Sequence, residues 1–421
     1  MRKILLTFFA LLIFLHAASQ DSIRVTTLRE VVISASRSEQ PVIEIPRSVT
    51  VIPASVIQTS LYQSLGDLLN AQSGLFVVGT NQTPGTNQNL FMRGTSSNQV
   101  AVLVDGVRIT DPSTPNAAMD LSEISLANIE RIEIIRGSHS TMLGGAAIGG
   151  VINLITKKSA ETGFHGDGSW QGGVFGRKAR ISSESMNLNY ATSKGIYFNG
   201  SVFQQNVRGL NAAERRETSP SFTADRDDFR KTDASLKAGF KNDRWDAALA
   251  YKGSHQYTEI DNGAFSDDDN NYLVFDRRLL QYQAEYEIHR GITFSVLGSF
   301  SDSERFYEND SSKVNATTYD KTYSTGTYFG KLQTHEAQVN YSKLGLKGVM
   351  GAGLYRENMS FDNYFFYNDP LYPFESRTNY DTLDTQTTTA YVFAQLGYGI
   401  GLFDITAGTR LSHHTTAGSF L

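Results

Sequence analysis

The sequence contains no cysteine, which removes disulfides, thiol nucleophiles and thiolate metal ligands without naming a compartment. Beyond the first twenty residues no apolar run approaches 18 residues, so helical membrane spans are excluded. Positive charge is not in surplus: 38 Lys and Arg stand against 43 Asp and Glu, a net charge of −5. Nothing in that balance points to nucleic acid as a partner. Catalytic signatures are missing as well. No HExxH, GxSxG, nucleotide-binding GxGxxG or phosphate loop occurs, and the Gly-rich "MLGGAAIGG" (Met142–Gly150) lacks the Lys-Ser/Thr of a phosphate loop. The eight His are scattered apart from the His413-His414 pair. The chain does not read as an enzyme.

What is present begins with a three-part leader. Arg2 and Lys3 precede an apolar run from Ile4 to Leu15, and Ala17 and Ser19 supply small residues before a cut at Gln20. This is the pattern of a secretory signal peptide over residues 1–19, too short to span a bilayer comfortably. The next distinctive stretch is "LREVVISASRSEQP" (Leu28–Pro41), a short β-prone core near the exposed start of the mature chain.

Two textures follow. Residues 48–160 read as a small α+β domain. "SVTVIP" (Ser48–Pro53) reads as a strand, and Leu65, Leu68 and Leu69 share one helical face that Gly74 closes. "QVAVLVDGVRI" reads as two strands about an Asp105-Gly106 turn. "IERIEIIRG" and "GGVINLITK" read as further strands. Over residues 161–421 apolar and polar residues alternate. Trp245, Ala247, Leu249 and Tyr251 share one face; Ile292, Phe294, Val296 and Phe300 share another, opposite Thr293, Ser295 and Ser299; Phe403, Ile405 and Ala407 oppose Asp404, Thr406 and Arg410. Other strands are predicted near 180–192, 195–206, 232–242, 277–290, 331–342, 346–357 and 388–399, with long polar loops at 207–231 and 304–323. The high load of Tyr (20) and Phe (25) fits aromatic girdles at the lipid interfaces. The pattern predicts an antiparallel transmembrane β-barrel of about eleven strands. Closed single-chain barrels have even counts and plugged transporters have about 22 strands. The expectation is therefore about half of such a barrel, the front part of a longer protein.

"FMRGTSSNQVAVLVDGVRITD" (Phe91–Asp111) and "IERIEIIRGSHSTMLGGAAIGGVINLITKK" (Ile129–Lys158) resemble the plug domain of the TonB-dependent outer-membrane receptors. The resemblance covers about Thr27 to Lys158. It implies an energised importer in a bacterial outer membrane, in contact with outer-membrane lipid. A passive porin or adhesin is the alternative class. It places a TonB box in residues 20–47, at Glu30, Val31, Val32, Ile33, Ser34 and Ala35. The periplasmic domain of TonB, working with ExbB and ExbD, would bind that box by adding a strand. It also implies that Arg93 and Arg136 latch the plug to barrel carboxylates. Gly94, Asp105, Gly106 and Gly137 mark turns, while Gly144, Gly145, Gly149 and Gly150 allow close approach to the barrel wall.

Cargo in this family is a ferric siderophore, haem, cobalamin or a sugar. "ASRSEQP" and "FMRGTSSNQVAVLVDGVRI" resemble the cobalamin type, so a corrinoid leads and an iron chelate follows. The resemblance implies plug contacts to cargo at Asn87, Asn89, Ser96, Thr114 and Pro115. No cofactor is required. Calcium in the extracellular loops is the metal it implies, at Asp225, Asp227, Asp261 and Asp276, since clustered carboxylates on loops suit a hard cation. Arg208 and Thr223 depart from that pattern, and "SDDDNN" (Ser266–Asn271) is extra.

Overall fold

The computed structural model describes Val31–Val32, Gln40–Pro41 and residues 48–420, less 61, 63, 81, 115, 159–160, 176–178, 211–212, 214–225, 262–267, 269, 311–321, 344, 368, 370, 382, 384 and 401–402. The expected signal peptide lies outside the described residues, as do Glu30, Ile33, Ser34, Ala35, Pro115 and Asp225. β1 (Val31–Val32) pairs antiparallel with β2 (Gln40–Pro41).

The first domain is built on β3 (Ser48–Pro53), β6 (Val100–Val104), β7 (Val107–Ile109), β8 (Ile129–Arg136) and β9 (Gly150–Thr156), in sheet order β3-β8-β9-β6-β7. β4 (Leu75–Val78) and β5 (Asn89–Met92) form a separate hairpin. Helices α1 (Ala54–Thr59) and α2 (Leu65–Asn70) follow β3, and α3 (Ser140–Leu143) follows β8. α2 starts where Ser64 accepts the amide N–H of Asp67 at 3.1 Å, a side-chain cap on an otherwise orphaned donor. Its Leu65, Leu68 and Leu69 are fully buried against Ile132, Ile134, Ile152 and Leu154, each contributing about 1.5–3 kcal/mol by leaving water. The β6–β7 turn is Asp105-Gly106 with φ of 48° and 82°, the left-handed pair that a two-residue hairpin needs.

The sheet's other face has a different neighbour. Ala101, Leu103, Ile135 and Val151 pack with Met142 and Leu143 of α3 and with Leu332, Val349, Tyr355, Tyr391 and Phe393 of the second domain. β9 is therefore buried on both faces, with Ile152 and Leu154 on one side and Val151 on the other, which explains its near-continuous apolar run.

The second domain is one antiparallel sheet of 13 strands. Its long strands are β10 (Gly163–Phe175), β11 (Ala179–Ala191), β12 (Ile196–Leu210), β13 (Asp227–Lys241), β14 (Trp245–Glu259), β15 (Asn271–His289), β16 (Ile292–Asp310), β17 (Thr322–Lys343), β18 (Leu346–Tyr367), β20 (Thr387–Ile400) and β21 (Phe403–His414). β19 (Phe374–Asn379) pairs back on β18, and β22 (Gly418–Phe420) on β21. Outward positions such as Trp170, Leu236, Leu249, Met350, Leu396 and Ile405 are exposed and apolar. Inward positions such as Asn187, Asn199, Lys237, Gln256, Ser299 and Gln338 are polar and buried. This is a transmembrane β-barrel wall around a plug. Among the described residues no helix is long and apolar enough to cross a membrane.

The strands outrun the expected loops. The 207–231 loop shrinks because β12 reaches Leu210 and β13 begins at Asp227; the 304–323 loop shrinks because β16 reaches Asp310 and β17 begins at Thr322. At about 3.3 Å per residue a strand of 22 residues runs well past a hydrocarbon core of roughly 30 Å. Above the lipid both faces meet water, so alternation stops while backbone pairing continues. β10 was missed for a related reason: five glycines in 13 residues dilute its alternation.

Candidate functional site

Long connections and short turns sort to opposite ends of the wall, the long ones being the extracellular side. The plug's 79–88 and 110–120 loops rise toward that side. Gln256, near the outer end of β14, donates to the Gly85 carbonyl at 2.9 Å.

The seat of the plug is a buried ion cluster. From the plug come Asp111, Asp120 and Glu123, each at most 2 % exposed; from the wall come Arg277 on β15 and Arg305 on β16. Arg305 pairs with Asp111 at 2.5 Å, with Asp120 at 3.5 Å, and more closely still with Glu123. Arg277 pairs with Glu123 at 3.0 Å and Asp111 at 3.5 Å, and donates to the Thr110 carbonyl at 3.1 Å. Ser303 and Ser113 donate to Asp111, and the amides of Gln88 and Ser122 donate to Asp120. Three carboxyls share two guanidinium groups, and the surplus falls on Glu123. Burial, reinforced by neighbouring Asp111 and Asp120, pushes Glu123 up to about 8 against the pull of both arginines. Burial alone would raise Asp111 too, but Arg305 and Arg277 outweigh it and hold it well below the ordinary carboxylate range.

A second clasp lies near the short-turn end. Lys237 of β13 meets Asp105 at 2.7 Å, and the same lysine donates to Thr156 at 2.8 Å. Burial opposes ionisation of Asp105, yet Lys237 and Thr156 together lower its pKa. Lys231 donates to the Ser122 carbonyl, Asn128 to Ser235, and Arg410 to the Met142 carbonyl. Thr110 bonds the Tyr355 hydroxyl at 2.7 Å, and the Arg108 guanidinium lies over that ring at 4.7 Å.

At both clasps the expected polarity is reversed, with carboxylates on the plug and cations on the wall, while Lys157 and Lys158 of the plug face Asp167 and Asp246 of the wall in the expected sense. Arg136 is held inside the plug, donating to the Ser73 carbonyl at 2.9 Å and to Thr50 at 2.7 Å. Arg93 sits at a left-handed φ of 51° ahead of Gly94, close to Gly137 and to Arg136. The glycines also divide. Gly94, Gly106 and Gly137 have positive φ as turn residues. Gly149 and Gly150 make close approaches within the plug: added Cβ atoms would lie 2.2 Å from Thr95 and 2.3 Å from Met92. Gly144, with Arg410 at 3.5 Å from its Cβ position, is the one that faces the wall; Gly145 meets nothing nearby.

Of the expected cargo contacts, Asn87, Asn89, Ser96 and Thr114 lie on loops tied by local hydrogen bonds. Asn89 donates to Asn87, Asn116 donates to Ser97 beside Ser96, and Thr114 donates to the Asp111 carbonyl at 2.9 Å. The apical loop therefore starts at Asp111, whose carboxylate belongs to the ion cluster.

Of the expected calcium ligands within the described residues, Asp276 lies apart from Asp227 and Asp261. Asp227 and Asp261 lie at neighbouring outer ends of β13 and β14, where the Asp228 amide also bonds Glu259 at 2.7 Å. Asp227 is buried on the inward face. Asp276 occupies the outward face of β15, where it bonds His255 at 2.9 Å, so one ion cannot take all of them. Among the described residues no three acidic or imidazole groups converge as a metal site.

Sequence reasoning did not single out Arg277, Arg305, Lys237, Asp120 or Glu123. Each is a charged residue at an inward or loop position, and only the strand register shows what it faces.

Comparison with known proteins bears on both domains. The family pattern described as TonB-dependent Receptor Plug Domain matches residues 41–151. A protein called Vitamin B12 transporter BtuB, from Vibrio cholerae serotype O1, is 38% identical over 131 residues, 31% of this chain and 21% of that protein. Its namesake from Vibrio vulnificus is 38% identical over 146 residues, 35% of this chain and 23% of that protein. These matches span about a fifth of the relatives' length. Among solved structures, the unliganded ferric citrate transporter FecA has a TM-score of 0.68 at 16% identity, covering 89% of this chain and 58% of that one. A mutant of the ferric enterobactin receptor PfeA from Pseudomonas aeruginosa has 0.66 at 16%, covering 90% and 58%.

Proposed function

We infer, from a chain that joins a TonB-dependent receptor plug to the wall of an outer-membrane β-barrel, that the whole protein binds a scarce nutrient outside the cell and imports it with energy passed through TonB. The observation that carries this reading is the seat of the plug. Its Asp111, Asp120 and Glu123 are buried at a domain boundary and matched by Arg277 and Arg305. Such contacts fix the plug in one position beside the apolar packing of its sheet on Leu332, Val349, Tyr355, Tyr391 and Phe393, and once parted their charges can rehydrate.

Energy transfer would begin at residues 30–35. β1 is tied to β2 by the Val31↔Pro41 and Val32↔Gln40 pairings, a two-residue ladder that a stronger strand partner can replace. Deleting residues 28–36 from the intact receptor is expected to abolish cargo uptake by cells and leave cargo binding unchanged. Undiminished uptake would remove the energised-transport reading in favour of a passive barrel.

For cargo, a corrinoid leads. Its support is the 38% identity, over 131 and 146 residues, to proteins named as vitamin B12 transporters. A ferric siderophore is the second reading, supported by the names of the solved neighbours, whose 15–17% identity carries the fold alone. Calcium, if it assists, would act through Asp227 and Asp261, and cargo binding measured with calcium and then with chelator tests that role.

A further inference from the structure

The outward face of the wall turns basic where β11, β12 and β13 leave the lipid. Exposed Met186 and Leu188 of β11, Phe198 and Val202 of β12, and Leu236 and Phe240 of β13 mark the apolar band. Alternation carries their parity along each strand, to Arg180, Arg208 and Arg230 near the extracellular ends. All three arginines are exposed. The residues beside them, Ile181, Val207 and Phe229, turn inward and pack together in a small buried core. The backbone that carries the arginines is thus fixed from behind.

The arrangement is unfavourable for a bare protein. Arg180 and Arg208 are direct cross-strand partners, and like charges in that position repel. The pairing of β12 with β13 shifts register between Val207 and Leu210, where Gly209 has a φ of 81°; such a bulge re-aims the side chain beside it. Arg208 lies 3.8 Å from Asp228, and Arg230 lies 3.7 Å from the same carboxylate. Among the described residues one carboxylate therefore serves two guanidinium groups, and Arg180 pairs with none. Arg208 and Arg230 stay 68% and 55% exposed, open to a ligand.

Their height is set by aromatic rings. The Arg230 guanidinium lies 5.6 Å from the ring centre of Tyr257, and Tyr257, Tyr272 and Phe306 follow one another across β14–β16 at 5.5 Å and 6.0 Å. An outward row of rings marks the membrane–water interface, so the arginines stand at headgroup level. Between them and the apolar band lie Ser182, Gln204, Asn206 and Thr232 with the same outward parity. Val202 to Arg208 spans roughly 20 Å of strand, more than a phosphate next to its acyl chains requires. On β16 the outward charges are Glu304, Glu308 and Asp310, and the inward positions between them hold Arg305, Tyr307 and Asn309. An anion is thus attracted to one sector of the rim and repelled from another.

We propose that Arg180, Arg208 and Arg230 bind the phosphate of an outer-leaflet glycolipid, with its saccharide on Gln204, Asn206 and Thr232 and its acyl chains on the apolar band below. The phosphate bridges Arg180 and Arg208, replacing their repulsion with charge-assisted hydrogen bonds. Arg230, held by Asp228 and Tyr257, closes the third side. The site lies on the outside of the barrel and stands whichever cargo is carried and however import is driven.

The test is native mass spectrometry of the intact receptor in detergent, titrated with lipid A (a diphosphorylated, acylated disaccharide) and with its dephosphorylated form. The parent is expected to bind the phosphorylated form at least about tenfold more tightly. Arg180→Ala and Arg208→Ala are each expected to lose about fivefold of that affinity, and the double variant about twenty-fivefold. Arg377→Ala removes an outward cation already paired with Asp362 and is expected to stay within about twofold. Without lipid, the double variant is expected to melt no lower than the parent, since a repulsive pair is gone. Equal binding of the two lipid forms, or parent-like binding by the double variant, would overturn the site. A lower melting temperature without lipid would also overturn it, by showing that the arginines serve the protein's own fold. Displacement of the lipid by an equal concentration of inorganic phosphate would overturn the glycolipid assignment in favour of a free anion.

Discussion

Two levels of one wall face differ sharply. At the level of the plug, the inward side of β13–β16 carries Lys231, Lys237, Arg277 and Arg305, each aimed at a plug oxygen. A few residues further out, the inward side of β16–β19 carries rings, amides and hydroxyls, and the charges have moved to the outer surface. β16 runs through both levels, and along it the change follows what each level faces. A buried cation is tolerable where carboxylates meet it, and it is costly in the interior without them. The lower level has plug carboxylates against it and can be charged; the upper level lies beyond them and is neutral.

The strongest way to break this comparison is to strip the lower level of a cation. Arg277→Ala leaves Glu123 and Asp111 buried with a single guanidinium between them, and is expected to destabilise plug docking by about 3–5 kcal/mol. A lowered melting temperature for the plug, with the wall's own transition unmoved, would bear this out.

A subtler probe uses the proton. Glu123 in the docked plug titrates near 8 against an ordinary 4.5, so the docked state binds its proton more tightly than the released state does. Its contribution to docking is therefore fully present below about pH 4.5 and fades as pH rises through about 8. Docking in the parent is expected to weaken between pH 6 and pH 9. Glu123→Gln, which resembles the protonated acid, should flatten that slope in a protease-protection series; an unchanged slope would assign the proton elsewhere.

The smallest effect belongs at the rim. Lys157 and Asp167 meet at 3.0 Å, but Asp167 is 54% exposed. Asp167→Ala is expected to change docking by about 0–1 kcal/mol, and a larger loss would mean that exposed pairs share the work of the buried cluster.

Much of this was legible in the sequence. The Asp105-Gly106 turn, the Leu65-Leu68-Leu69 face and the outward row Trp245-Leu249-Tyr251 all stand as read, because local periodicity and turn chemistry determine them. The outer halves of β15–β18 were not legible, since strands that leave the lipid lose their apolar face. The polarity of the latch was not legible either. Arg136 sits in a motif and drew the eye, yet it closes the plug on itself through Thr50 and Ser73. Arg277 and Arg305 look like ordinary polar-face residues until register places them over Asp111 and Glu123, some 150 to 200 positions away in the chain.

A plug seated by its ion cluster should behave as a separable body. Hydrogen exchange read by mass spectrometry tests this most directly, comparing the intact parent receptor with Arg277→Ala. Faster exchange confined to the plug, greatest across residues 109–124, with β13–β18 unchanged, is the predicted result. Plug and wall exchanging faster together, or neither changing, would contradict it.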